Sequence, residues 1–319
     1  MTQPRAFPMS FAVLLVLLFT TRFSAAEPAR STEQDGSSPH SFIADFRLRE
    51  TVGFSVTRGA VDQSTQEGSM ALSATYYPEN ILDDGRPFQL QPFLQRAIKV
   101  GLVAFVSGAQ SESSMDERTI FQGANRRFGA ALYSDTYLKP FLALSGGVGV
   151  SAYRDSYSLP TLQRMPINRQ LLSVPVTLGI GLRISDTRID GRYHIEVVND
   201  GSAWRFGNWG VASIGVESVI RRMVSLQLGM NFEKEIVAAS VAVQVYPTRR
   251  LELGLGGNYR HQFFFVPSTP EANRVMFTAR CGYWFRAPFG LAVDYTISEN
   301  VAEGAHPTHQ FGLELYSRI

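Results

Sequence analysis

Five histidines, His40, His194, His261, His306 and His309, are the side chains with which this 319-residue sequence could run acid–base chemistry near neutral pH. His194 and Glu196 stand two apart in "RYHIEVV", a spacing that puts both on one face of a strand. His261 follows Arg260 in "NYRHQFF". A lipid-modifying or hydrolytic enzyme would need a nucleophile or activated water beside such a histidine and an acid. Neither histidine falls in a serine motif or a hydrolase pattern, and no His/Asp grouping has metal-ligand spacing. His194 and His261 therefore read as wall or rim residues of whatever sheet holds them. No catalytic group, cofactor or metal is expected. The lone Cys281 excludes an internal disulfide and any multi-cysteine metal site, and a formal net charge of +2 gives no basic footprint for nucleic acid.

The other charged residues point to a different chemistry through their placement. In "VAASVAVQVYPTRRLELGLGGNY" the odd positions Val237, Ala239, Val241, Val243, Val245, Leu251, Leu253 and Leu255 are apolar, and the even positions hold Ser240, Gln244, Glu252 and Asn258. Strict alternation predicts two strands joined by a turn at Pro247–Arg250. The same form recurs from Ser41 to the last residue, with no convincing long amphipathic helix. About fourteen strands are expected, twelve being the alternative count: 41–57, 69–79, 97–107, 119–133, 139–153, 171–185, 190–199, 209–220, 223–233, 236–246, 251–263, 273–285, 289–297 and 308–319. Most exceed the ~9–11 residues that a tilted strand needs to cross a bilayer. Arg126 and Arg127 interrupt the fourth, because neighbours cannot share a face. Glu50 is an exception on the apolar face of the first. Pro175 should cost a ladder bond and bring a bulge or bend.

Two features decide which face meets water. The N-terminus has Arg5, an apolar core "SFAVLLVLLF" and small residues at Ser24 and Ala26, a secretory signal with cleavage expected after Ala26. Residues 27–40 are polar and Pro/Ser-rich, a flexible tail, which leaves 41–319 as one β-domain. The connections also alternate. "RGAVDQSTQEG", "GAQSESSMDER", "RDSYSLPTLQRMPINRQ" and "NDGSAWRFGN" are long and polar, whereas "SDTYL", "DTRI", "RR", "PTRR" and "RAP" are tight. Membrane barrels show this rhythm and soluble sandwiches have no need of it. "YPENILDDGRPFQLQPFLQR" departs from it; Asp83–Arg96 could plug the barrel mouth, but the favoured reading is a connector whose Phe88 and Phe93 touch the rim.

Through the signal, the repeated strands, the long–short rhythm and a chain end inside a strand ("FGLELYSRI"), the sequence resembles the Gram-negative outer-membrane β-barrel class. The final Ile319 departs from the aromatic end residue usual there. The resemblance implies an all-β, antiparallel transmembrane barrel in the cell outer membrane, with membrane lipid and the barrel-assembly machinery as partners. It further implies a porin-like passage for small solutes or a structural barrel. A lipid-modifying enzyme or a hydrophobic-substrate transporter is the alternative. Lipid then takes the apolar faces, Cys281 included. The lumen takes Asp45, Arg47, Arg49, Lys99, Arg183, Glu217, Gln244, Glu252, Asn258, Arg260, Arg274, Arg280, Asp294, Glu314 and Arg318. These form either a charged filter with weak anion preference or a ladder of paired charges that braces the interior. Tyr133, Tyr246, Trp284, Phe285, Phe289 and Tyr316 are expected as an aromatic girdle at the inner interface.

Overall fold

The computed structural model describes residues 41–57, 61–82, 84–116, 118–160, 167–233, 236–262, 273–286, 289–300 and 307–319. The expected signal and tail, 1–40, lie outside these residues, as do His40 and His306. Fourteen antiparallel strands follow in chain order: β1 (Ser41–Thr57), β2 (Asp62–Leu82), β3 (Lys99–Met115), β4 (Arg118–Lys139), β5 (Leu142–Ser158), β6 (Ile167–Ile184), β7 (Thr187–Asn199), β8 (Trp204–Ile220), β9 (Val224–Glu233), β10 (Ile236–Val245), β11 (Leu251–Gln262), β12 (Asn273–Arg286), β13 (Phe289–Asn300) and β14 (Thr308–Arg318). Each pairs with its chain neighbours, and β1 pairs with β14, so the sheet closes on itself.

Closure follows from the alternation. The outward set is apolar and open to the surroundings: Leu255 is 70% exposed and Leu178 64%, while Glu252, inward on β11, is 3% exposed. An apolar exterior over a polar interior is stable only where the exterior meets lipid, and there an open strand edge would strand its N–H and C=O groups. The β1–β14 seam removes that edge. Its register sets Asp45 opposite Arg318, and their side chains meet at 2.6 Å, both 4% exposed. Tyr77 donates its hydroxyl to the other Asp45 oxygen at 3.0 Å, and the Arg318 guanidinium lies over Phe42, 4.2 Å from the ring centroid. The backbone N–H of Ile43 reaches the Ile319 carbonyl at 2.7 Å.

Several strands outrun the sequence expectation. "RGAVDQSTQEG" and "GAQSESSMDER" are for the most part paired strand rather than loop: β1 and β2 are in register out to Thr57 and Gln63, and β3 and β4 to Met115 and Arg118. Asp116, at φ +50°, sits in the tight turn between them. Beyond the bilayer both faces of a hairpin meet water, so alternation vanishes while the hydrogen-bond ladder continues. The wall is thus tall at β2 (21 residues) and β4 (22 residues) and low at β9 and β10 (10 residues each). The turns expected at "SDTYL" and "DTRI" were set too wide, since β4 runs on to Lys139 and β7 starts at Thr187.

Pro175 costs ladder bonds without shifting the register. Pairing stops at Val148–Val176 and resumes at Ser151–Ser173 on the same diagonal. The register shifts instead in the β7–β8 ladder, where β8 carries the extra residues between the pairs His194–Val211 and Val197–Phe206.

Removing one member of the buried seam pair leaves an uncompensated charge, which costs about 3–5 kcal/mol. Asp45→Ala should lower the midpoint of heat-induced loss of the compact gel species far more than Glu50→Ala, whose side chain faces outward. Equal midpoints would show that the seam does not depend on this pair.

Candidate functional site

One mouth of the barrel carries β1's start and β14's finish. Residues 84–98 leave β2, cross this mouth and return at β3. They form a 3-10 turn, Phe88–Leu90, and a single helical turn, α1 (Gln91–Leu94), opened by Pro92. Phe88 and Phe93 touch the rim, as the connector reading has it, at Arg249 and Arg183, while the segment between them also reaches across the mouth as a plug would. Phe88 packs with Trp284, Ala292 and Tyr316, and Leu90 and Leu94 pack with Val219 and Tyr246. These partners come from β12, β13 and β14, two to four strands from β2 through the β1–β14 seam, and from β8 and the end of β10 on the far side of the sheet. Gln91 is wholly buried and donates to the Arg86 carbonyl at 3.3 Å. The Phe88 N–H reaches the Arg249 carbonyl at 3.3 Å in the β10–β11 turn, and the Arg249 guanidinium lies 5.1 Å from the Phe88 ring centroid. Arg183 donates to the Phe93 carbonyl and lies 4.4 Å from that ring's centroid.

The plug explains the aromatic residues. Phe285 and Phe289 are exposed outward as expected of a girdle, but Tyr246, Trp284 and Tyr316 are 2–4% exposed and face inward beneath the plug. Tyr133 is inward too, its hydroxyl 2.6 Å from Thr75 Oγ1. Trp284 and Tyr316 stack at 5.1 Å, and glycine makes the room: a Cβ on Gly290 would meet Tyr316 Cδ2 at 2.5 Å. The inward parity of Trp284 was available in the sequence, since it alternates with the outward Tyr283 and Phe285. The inward environment of these aromatics was not, because it depends on a distant segment.

Above the plug lie two charge lattices, the second extended by Arg192, 3.9 Å from Asp190. In one, Arg280 donates to Glu252 at 2.9 Å, to Glu314 at 2.6 Å and to the Tyr316 hydroxyl at 3.1 Å, with Asp294 at 3.7 Å. Arg49 reaches Asp294 at 3.0 Å, and Arg47 lies 3.7 Å from Glu314. Three guanidiniums thus balance three carboxylates. In the other, Arg188 grips Asp135 with both terminal nitrogens at 2.8 and 2.9 Å and Asp190 with Nε at 2.8 Å, and Lys99 stands 3.4 Å from Asp135. Asp135, Arg188 and Asp190 are site residues that sequence reasoning missed, since Asp135 and Arg188 lay inside segments assigned to turns. Period-2 parity carried through those segments would have placed both in the lumen.

The sequence-predicted lumen residues all face inward, but they separate into two groups. Arg183, Glu252, Asp294 and Glu314 are buried in the lattices and under the plug, while Gln244, Asn258, Arg260 and Arg274 are partly exposed in the open lumen, as is Glu217, which accepts from Gln227 at 3.4 Å. Further from the plug, Arg192, His194, Asn231, Glu233 and Arg260 line a recess of about 460 Å³. Arg260 stands directly opposite Arg274, and Arg274 donates to Ser298 at 2.6 Å. His194 and Glu196 are held apart in role, His194 bonded to Thr177 at 2.9 Å and Glu196 to Ser173. His261 faces outward, its Nδ1 2.7 Å from Asn273 Oδ1.

A closed sheet with an apolar belt outside and a charged, plugged interior is a transmembrane β-barrel of the outer-membrane type. Several solved structures are similar to it at the level of fold. A Pseudomonas aeruginosa FadL homologue superposes with a TM-score of 0.60 at 10% identity, over 87% of this chain and 90% of that one. The Pseudomonas putida toluene transporter TodX gives 0.57 at 10% identity, over 86% and 89%. A deltaS2S3 mutant of the TodX monoaromatic hydrocarbon channel gives 0.56 at 12%, over 88% and 91%. No protein-family model and no curated protein matches the chain.

Single cysteines should report the two groups of lumen residues. Asn258→Cys and Gln244→Cys are expected to react with a water-soluble maleimide in the folded barrel. Glu252→Cys should react only after unfolding, and fast labelling of all three would show that the plug does not cover the lattice.

Proposed function

We propose that this protein is an outer-membrane channel for small polar solutes, closed at its periplasmic mouth by residues 84–98. The observation that carries the reading is the plug itself. It is a short segment between two strands, tethered by contacts to the far wall that can be released without opening the sheet. Moving it would uncover the charge lattices and join the lumen to the periplasm. Export through a signal cleaved after Ala26, insertion by the barrel-assembly machinery and a surrounding collar of membrane lipid belong to the same reading.

The lining favours polar solutes over the hydrocarbons named for TodX. Arg, Asp, Glu, Ser, Thr and Gly dominate the inward positions of β1 and β11–β14. The charge pairs cancel near the plug, and Arg260 and Arg274 remain above it without a carboxylate on the facing strand position. A modest anion preference follows, because like charges opposed across a ladder repel each other and attract counter-ions. Passage rather than catalysis is the proposed role: His194 and Glu196 are engaged separately with β6, and His261 lies on the outer face.

Planar-bilayer recording tests the closure. Wild-type barrel should show small, infrequent openings, and Leu90→Ser/Leu94→Ser should raise conductance several-fold by weakening the plug's apolar seat. Identical conductance would overturn the gating role. In a salt gradient the plug variant should give an anion-selective reversal potential that Arg260→Gln/Arg274→Gln shifts toward zero. Clear cation selectivity would overturn the preference.

A further inference from the structure

The outer wall carries two arginines where the lipid-facing belt stops. On β4 the outward positions run Thr136, Ser134, Leu132, Ala130 and Phe128, and the next outward position is Arg126. On β5 they run Leu144, Gly146, Val148, Val150 and Ala152, and the next is Arg154. Each run spans about nine residues, the length a tilted strand needs to cross the hydrocarbon. Phe128 is 58% and Val150 47% exposed, which confirms the direction of this face. Arg126 and Arg154 are direct cross-strand partners, and both are exposed. Gly108 and Gln170 flank them in the same row on β3 and β6.

Neither guanidinium has an ion-pair partner among the described residues, and the next outward row, Gln110, Ala124, Ser156 and Asn168, carries no charge. Asp155 and Arg169, their chain neighbours, point into the lumen by parity. Two like charges set directly opposite each other are destabilising unless an anion comes between them. At the edge of an apolar belt, that anion is supplied by lipid. The planar forks of two arginines match the oxygens of a phosphate group, and each cation near an anionic membrane surface contributes about 1 kcal/mol.

We propose that Arg126 and Arg154 form an exterior dock for the phosphate groups of a phosphorylated lipid in the outer leaflet, on the tall side of the barrel. The dock rests on the membrane reading above and goes beyond it by naming a lipid headgroup chemistry and its place on the wall. The glycine at 108 and the short amide at 170 leave the flanks open to a headgroup broader than a single phosphate.

The test uses the full folded chain in phosphatidylcholine nanodiscs containing lipid A with two phosphates or its dephosphorylated form, with bound lipid counted by native mass spectrometry. Wild-type barrel should retain the phosphorylated form roughly 10–30-fold better than the dephosphorylated one, the range two such arginines supply. R126Q/R154Q should lose most of that preference, while R192Q, a lumen substitution, should keep it. An undiminished preference in R126Q/R154Q, or none in wild type, would overturn the dock. Heat-modifiable gel mobility, measured in parallel, reports folding and insertion. A wild-type chain that does not insert defeats the membrane reading itself, whereas insertion without phosphate selectivity defeats only the dock. If R126Q/R154Q fails to fold, R154Q alone makes the same comparison with a smaller expected loss.

Discussion

Hydrocarbon offers a backbone no hydrogen-bond partner, and every other feature of this protein follows from meeting that constraint by closing the sheet. The seam between β1 and β14 is where the closure is made. There the ladder is reinforced by a buried pair, Asp45 and Arg318, with Tyr77 completing the carboxylate and the Phe42 ring covering the guanidinium. Fourteen strands have an even count, so β1 starts and β14 finishes at the same mouth. The sequence-adjacent contacts of a simple up-and-down order then do the rest.

Closing the sheet moves the polar faces into a confined interior, and that creates a second problem. A charge held there must find a partner, because a buried carboxylate or guanidinium without one is expensive. The two lattices solve it by local pairing: Arg280 serves Glu252 and Glu314, and Arg188 serves Asp135 and Asp190. Glycines opposite the inner aromatics give room for Trp284 and Tyr316, and those rings in turn give the plug an apolar seat. The lattices and the plug are therefore one structure, with charges bracing the wall and apolar contacts shutting its mouth. Charges left without a facing carboxylate, Arg260 and Arg274 inside and Arg126 and Arg154 outside, lie beyond the lattices. Water or headgroups can solvate them there.

The height of the wall varies around the barrel for a related reason. Within the bilayer each strand must span the same thickness. Above it, strand length is limited only by how long two polar chains keep pairing. β2 to β6 continue far past the belt, while β9 and β10 turn back near its edge. Arg126 and Arg154 thus occupy the foot of the tall side, where lipid surface and protein wall meet.

Alternation was legible in the sequence wherever the two faces of a strand meet different media. That is why the spans of β1 and of β9 to β12 agree with expectation to within about one residue, and why the inward parity of Arg47, Arg280 and Glu314 holds. Where both faces meet water, as in Asp62–Gly68 or Gly108–Met115, nothing in the pattern separates paired strand from loop. Only the partner strand decides it. Where a side chain's surroundings come from far along the chain, residue type misleads: Trp284 and Tyr316 have the composition of an interface girdle, yet strand parity turns them inside, where Phe88 packs on them. The plug could be seen in the sequence only as a connection too long for its place, because Phe88, Leu90 and Leu94 have nothing to be buried against until the wall closes around them. The sequence by itself determined a barrel and which residues turn inward, through a period of two that is local. Tertiary structure alone decided what reaches across the mouth and which charges pair, since both depend on contacts between residues far apart in the chain that the closed sheet brings together.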